Sequence, residues 1–157
     1  MHPSLDSCFG HAALRRGRVS LPGQIYLVTF TTQTRKPVFS DLDLAGIASR
    51  ALTDRRAWTH SRLLAWVLMP DHWHGLVELG ETEQLHALVG RLKTNSARCL
   101  RAEAEVLDGV WARAFHDRAL RHGDELIAAA RYVVMNPVRA GLVTNVANYP
   151  YWNAIWL

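Results

Sequence analysis

The sequence predicts an α+β fold, in which one antiparallel sheet of four or five strands carries helices on one face and is followed by a C-terminal helix. Three observations carry that expectation. Hydrophobic periodicity alternates between strand-like and helical spacing in the order β-α-β-β-α-β, then turns helical once more. Two apolar runs meet at a Pro-Asp turn in "VLMPDHW", so they should pair as antiparallel neighbours. No repeat, low-complexity segment or composition break divides the 157 residues, so a single domain over 23–157 is expected behind a basic arm at 1–22.

Each element has a local reason. "QIYLVTFTTQ" alternates β-branched and aromatic residues and reads as the first strand. "TRKPVFSD" is a loop in which Ser40 or Asp41 can cap a helix over 42–57, whose apolar positions are Leu44, Ile47, Ala48, Ala51 and Leu52. "RLLAWVLMP" reads as a strand buried on both faces, and "HWHGLVELG" as its partner across the turn. A long helix over 81–105 follows, with Leu85, Leu88, Val89, Leu92 and Leu100 inward and Arg91, Asn95, Arg98 and Arg101 along another side. "VWARAFHDRAL" fits a further strand, and "ELIAAARYVVMN" a helix that Pro137 stops. This order is the split βαβ, ferredoxin-like arrangement. The closing "YPYWNAIWL" is too aromatic for a free tail and should pack back on the domain.

Composition removes several classes of function. No stretch approaches a membrane span, and the first residues lack the apolar run of a signal peptide. Two cysteines, Cys8 and Cys99, are too few for a disulfide framework. A cytoplasmic protein is therefore expected. The net charge of +4 comes wholly from residues 1–60, which hold eight Lys/Arg against four Asp/Glu; the remainder balances at ten against ten. "RRGR" at 15–18 is the densest point. Such an arm suits either nucleic-acid contact or a solvated terminus.

His72 and His74 alternate on a predicted strand, so their rings share a face about 7 Å apart at their origins. That suits two ligands of one divalent ion, or an ordinary hydrogen-bonded pair; a third ligand would have to come from elsewhere. Trp73 then points into the core. No His-Glu-x-x-His or zinc-finger spacing occurs, and a cupin barrel has no room among the predicted helices. Asp71 is expected to cap its turn. Tyr132 and Asn136 stand four apart, close to one helical face, although Pro137 biases Asn136 away from helical dihedrals. A tyrosine so placed is either a packing residue or a nucleophile.

Taken together, "WVLMPDHWHGLVE", "ARYVVMNPVRAGLV" and "VTFTTQTRKPVF", with "RLKTNSAR" and "FHDRALR", resemble the HUH-type single-tyrosine transposases, the IS200-like group, and within it the REP-associated tyrosine transposases of bacteria. The resemblance runs from about Gly17 to Val143.

It implies a metal-dependent, single-stranded DNA endonuclease and strand transferase acting at hairpin-forming repetitive palindromes. His72 and His74 match the two motif histidines, Tyr132 the nucleophile, and Asn136 the polar third ligand of Mg²⁺ or Mn²⁺. Attack by Tyr132 would leave a 5′-phosphotyrosine and a 3′-hydroxyl that can later rejoin the strand. A free phenol titrates near pH ~10, so something must take its proton. Candidate DNA contacts are Arg15, Arg16, Arg18, Arg91, Lys93 and Arg98, with Trp152 and Trp156 able to stack on bases. His116 and Asp117 are a structural pair or support for the site. A monomer associated with the nucleoid is expected, with a homodimer as the alternative.

Overall fold

A computed structural model describes residues 23–106, 109–121 and 123–157. The basic arm, with Arg15, Arg16, Arg18 and Cys8, lies outside them. The strands are β1 (Ile25–Thr31), β2 (Arg62–Met69), β3 (His72–Glu78), β4 (His116–Ala119) and β5 (Trp152–Ala154). The helices are α1 (Leu42–Leu52), α2 (Leu85–Ala104), α3 (Gly123–Val134) and a single turn α4 (Asn136–Arg139). The sheet runs β4-β1-β3-β2-β5 with every neighbour antiparallel. Its first four strands have the expected ferredoxin-like order. The aromatic tail adds β5 to the β2 edge, and Leu68 N donates to Tyr151 O at 2.9 Å.

Strand alternation divides the core between two faces. Val28, Phe30, Trp73 and Val77 point to one side and pack under α1 and α2. Val67, Met69 and Leu76 point to the other, against Ala129, Ala130, Val133 and Val134 of α3. Thus α1 and α2 share a face, and the tyrosine-bearing helix crosses the opposite one. Trp73 is fully buried as expected and stacks on Phe30 with ring centres 4.9 Å apart. Its indole folds across Gly75, where a Cβ would land on the ring; only glycine lets β3 lie flat there.

α2 begins at Leu85 rather than at 81, and α1 and β4 are also shorter than their patterns suggested. α1 ends at Leu52 because Asp54 opens a separate turn, Arg55–Trp58, by accepting from Arg56 N at 2.9 Å. Asp41, rather than Ser40, caps α1, accepting from Asp43 N and Leu44 N. β4 holds four residues where eleven looked strand-like; Trp111 makes only an isolated bridge to Thr32, and its Nε1 donates to Ser96 Oγ at 2.9 Å. Among the described residues, no helix is long and apolar enough to cross a membrane.

Candidate active site

The site is built on β3, the middle strand. His72 and His74 lie on the α3 face with ring centres 4.6 Å apart and planes at 80°. Each ring is fixed through Nδ1. His72 Nδ1 lies 2.6 Å from Asp71 Oδ1, and His74 Nδ1 lies 2.6 Å from Thr29 Oγ1 on β1. A carboxylate can only accept, so the bond to Asp71 places a proton on Nδ1 of His72 and leaves a lone pair on Nε2. The Thr29 hydroxyl allows the same tautomer at His74. Asp71 therefore does not serve the turn, as its Pro-Asp context suggested; it orients an imidazole. Its other oxygen, Oδ2, meets Arg35 Nε at 3.2 Å.

Burial keeps both rings neutral. It depresses His72, opposed by its bond to Asp71, and it takes His74 down to about 3, reinforced by the neighbouring His72 imidazole, against which a second proton is disfavoured, and by the charges of Arg139 and Arg35. Neutral imidazoles with a tied Nδ1 and an open Nε2 are what a metal ion requires of its ligands. Among the described residues no group of three or more His, Cys, Asp or Glu side chains could hold an ion. If Asn136 supplied its amide oxygen beside the two imidazoles, the mixed donor set would fit Mn²⁺ better than the oxygen-preferring Mg²⁺.

Tyr132 stands on α3 over this pair. Its ring centre is 5.9 Å from that of His74, with planes at 68°, and 48% of the residue is exposed. Ala129, Ala130, Val133 and Val134 seat the helix, so Tyr132 projects from its open side. α3 ends at Val134, Met135 leaves helical geometry (φ −83°, ψ 3°), and Asn136 restarts the chain as the buried first residue of α4, with Pro137 in its first turn. The Pro137 effect is thus a short interruption that leaves Asn136 one turn beyond Tyr132. Arg139, at the end of α4, places its guanidinium carbon 4.0 Å from the centre of the Tyr132 ring.

The predicted DNA contacts on α2 divide. Arg91 donates to Ala57 O at 2.9 and 3.1 Å and pairs with buried Glu83. Lys93 Nζ donates to the carbonyls of Ala112, Arg113 and Ala114. Both are engaged inside the protein, and α2 lies across the sheet from the histidines. Arg98 is exposed. Trp152 donates to Val146 O at 3.0 Å and is half-buried, whereas Trp156 is half-exposed. His116 is exposed and pairs in register with Thr29, so it shares the site face. Sequence reasoning missed Thr29, Arg35 and Arg139. Only the β1–β3 register reveals Thr29, while Arg139 stood within a quoted motif, one turn after Asn136.

Paired histidines on a central strand, with a tyrosine presented from a helix over the same face, are the features of the HUH-type transposases. Comparison with protein families agrees: the family described as "Transposase IS200 like" matches residues 21–134, and the chain belongs to it. The matched span includes His72, His74 and Tyr132 and stops short of Asn136. A Haemophilus influenzae protein described as a REP-associated tyrosine transposase is 31% identical over 98 residues, 56% of this chain and 56% of that protein. The match thus spans little more than half the length of that curated relative. Among solved structures, a REP-associated tyrosine transposase bound to a REP hairpin superposes with a TM-score of 0.69 at 21% identity, covering 86% of this chain and 79% of that one. At that identity the likeness concerns the fold.

Proposed function

We propose that this protein cuts and rejoins single-stranded DNA beside hairpins formed by repetitive palindromes, through a covalent bond to Tyr132. The observation that carries the reading is the Tyr132 ring set against His74, in a pair whose two Nδ1 atoms are both tied back. His72 and His74, with Asn136 as third ligand, would hold a divalent ion, Mn²⁺ or Mg²⁺. Such an ion supplies Lewis-acid stabilisation of charge on the scissile phosphate.

The chain's own residues do the rest. Tyr132 Oη gives up its proton and forms a bond to phosphorus as the bond to the 3′-oxygen breaks, and the released 3′-oxygen takes up a proton, so that none is gained or lost overall. The phosphotyrosine keeps the energy of the broken ester, so a returning 3′-hydroxyl can displace the tyrosine and restore the strand. Seating on α3 holds the ring in place, which lowers the entropic cost of reaching in-line geometry. The hairpin-bound relative and the REP-associated protein of Haemophilus influenzae support the choice of substrate. We place this activity in a cytoplasmic, nucleoid-associated monomer of one domain, with Arg15, Arg16 and Arg18 of the arm at 1–22, and Arg98 on α2, as contacts to DNA backbone.

The test is covalent trapping. Protein is incubated with labelled hairpins taken from repeats flanking its gene, in Mn²⁺ or in EDTA, and resolved on a denaturing gel. A metal-dependent band that survives SDS and vanishes in Tyr132→Phe is expected, and His72→Ala should abolish it while sparing hairpin binding. A bound but uncut hairpin in every metal would instead describe a non-cutting hairpin-binding protein.

A further inference from the structure

Two arginines flank the histidine pair, and the reading above gives neither a role. Arg35 sits in the loop after β1. Thr34 and Arg35 both take positive φ, 55° and 56°, a region costly for residues that carry a Cβ. The surroundings hold the loop in that state. Thr32 Oγ1 donates to Lys36 O at 2.7 Å and to Asp71 O at 3.0 Å, and Gln33 N donates to Val110 O at 2.8 Å. The result is a guanidinium joined to Asp71 through Nε, with 59% of its side chain open to solvent. The same carboxylate holds His72, so a single acidic group links Arg35 to one imidazole.

Arg139 reaches the pair through Tyr132. Its Cζ stands 4.0 Å from the centre of the exposed tyrosine ring, and that ring lies edge-on to His74 at 5.9 Å. A guanidinium resting on an aromatic face keeps its N–H edges free in the plane.

We infer that Arg35 and Arg139 form a two-sided clamp for the backbone of a single DNA strand, holding phosphates on either side of the Tyr132–His74 contact. The inference rests on the proposed function and adds how the substrate strand is held. Guanidinium is the suitable group because its planar fork matches two phosphate oxygens at once. The clamp acts on the strand that enters the site and leaves the hairpin stem to other contacts.

The experiment is a binding measurement in the uncut state, using Tyr132→Phe protein with Mn²⁺ and two probes. One probe is the hairpin alone; the other is the same hairpin with single-stranded flanks on both sides. In the parent the flanks should tighten binding. Arg35→Gln and Arg139→Gln should each cut that gain about tenfold, and the double variant should remove it, with affinity for the bare hairpin held within about twofold. Arg35→Lys and Arg139→Lys, which keep charge and fold but lose the fork, should fall between. A double variant that keeps the full gain overturns the clamp. So does equal weakening for both probes, which would make these arginines general contacts or supports of the fold. Failure of the parent to bind either probe would overturn the clamp together with the functional reading, whereas parental hairpin binding without any gain from the flanks would sink the clamp alone.

Discussion

Thr29 Oγ1 lies 2.6 Å from His74 Nδ1 across the β1–β3 ladder, a contact between residues 45 apart in sequence. The neighbouring strand thereby sets the orientation of a candidate metal ligand. Thr29→Val keeps the shape and removes the hydroxyl. Loss of such an outer partner weakens metal affinity about ten- to hundredfold. Calorimetric titration of the DNA-free protein with Mn²⁺ should show that drop, with Thr29→Ser restoring most of it and Mg²⁺ binding more weakly throughout. Unchanged affinity in Thr29→Val would deny the hydroxyl any orienting role.

Lys93 gives a contrast between stability and DNA binding. Its ammonium donates to Ala112 O at 2.8 Å, Arg113 O at 3.2 Å and Ala114 O at 2.9 Å, tying α2 to the segment before β4. Lys93→Met keeps the aliphatic stem and deletes the donor. A loss of about 1–3 kcal/mol is expected, read as a lower midpoint in urea, with hairpin affinity little changed. The reverse pattern, intact stability with weakened and less salt-dependent binding, would restore Lys93 as a phosphate contact.

Tyr149 makes stability sensitive to alkali. Burial, helped by Tyr151, pushes its phenol up to about 12, and the neutral group donates to Leu68 O at 2.6 Å. Because the folded value lies above the ordinary one of ~10, the stabilisation is complete below about pH 10 and disappears as pH rises through about 12. Unfolding midpoints followed across that window should fall less steeply in Tyr149→Phe than in the parent. Parallel curves would assign the alkaline loss to other groups.

The strand-helix order was readable because periodicity is local: alternation along β1 and β3 and the apolar stripe of α2 do not depend on distant residues. The facing of His72 and His74, and the burial of Trp73 between them, followed from the same two-residue period. What could not be read was set by pairing. Nothing in the sequence tells Asp71 to leave its turn for His72, because that choice depends on where the carboxylate meets Arg35 and the imidazole. Arg91, on the charged stripe of α2, and Lys93, elsewhere on that helix, were read as DNA contacts; the partners that the fold gives them are Glu83 and Ala57 O for Arg91 and three loop carbonyls for Lys93. β4 looked longer than it is because "VWARAF" has strand composition, while the Trp111 indole is drawn to Ser96 on α2.

The site joins residues from remote parts of the chain: Thr29 on the first strand, His74 on the third, and Tyr132 on a helix packed against the sheet. No fragment containing just one of these segments brings the tyrosine to the imidazoles. If the proposed reaction is right, a partly synthesised copy would lack it, and the capacity to break a strand would come only with the completed fold.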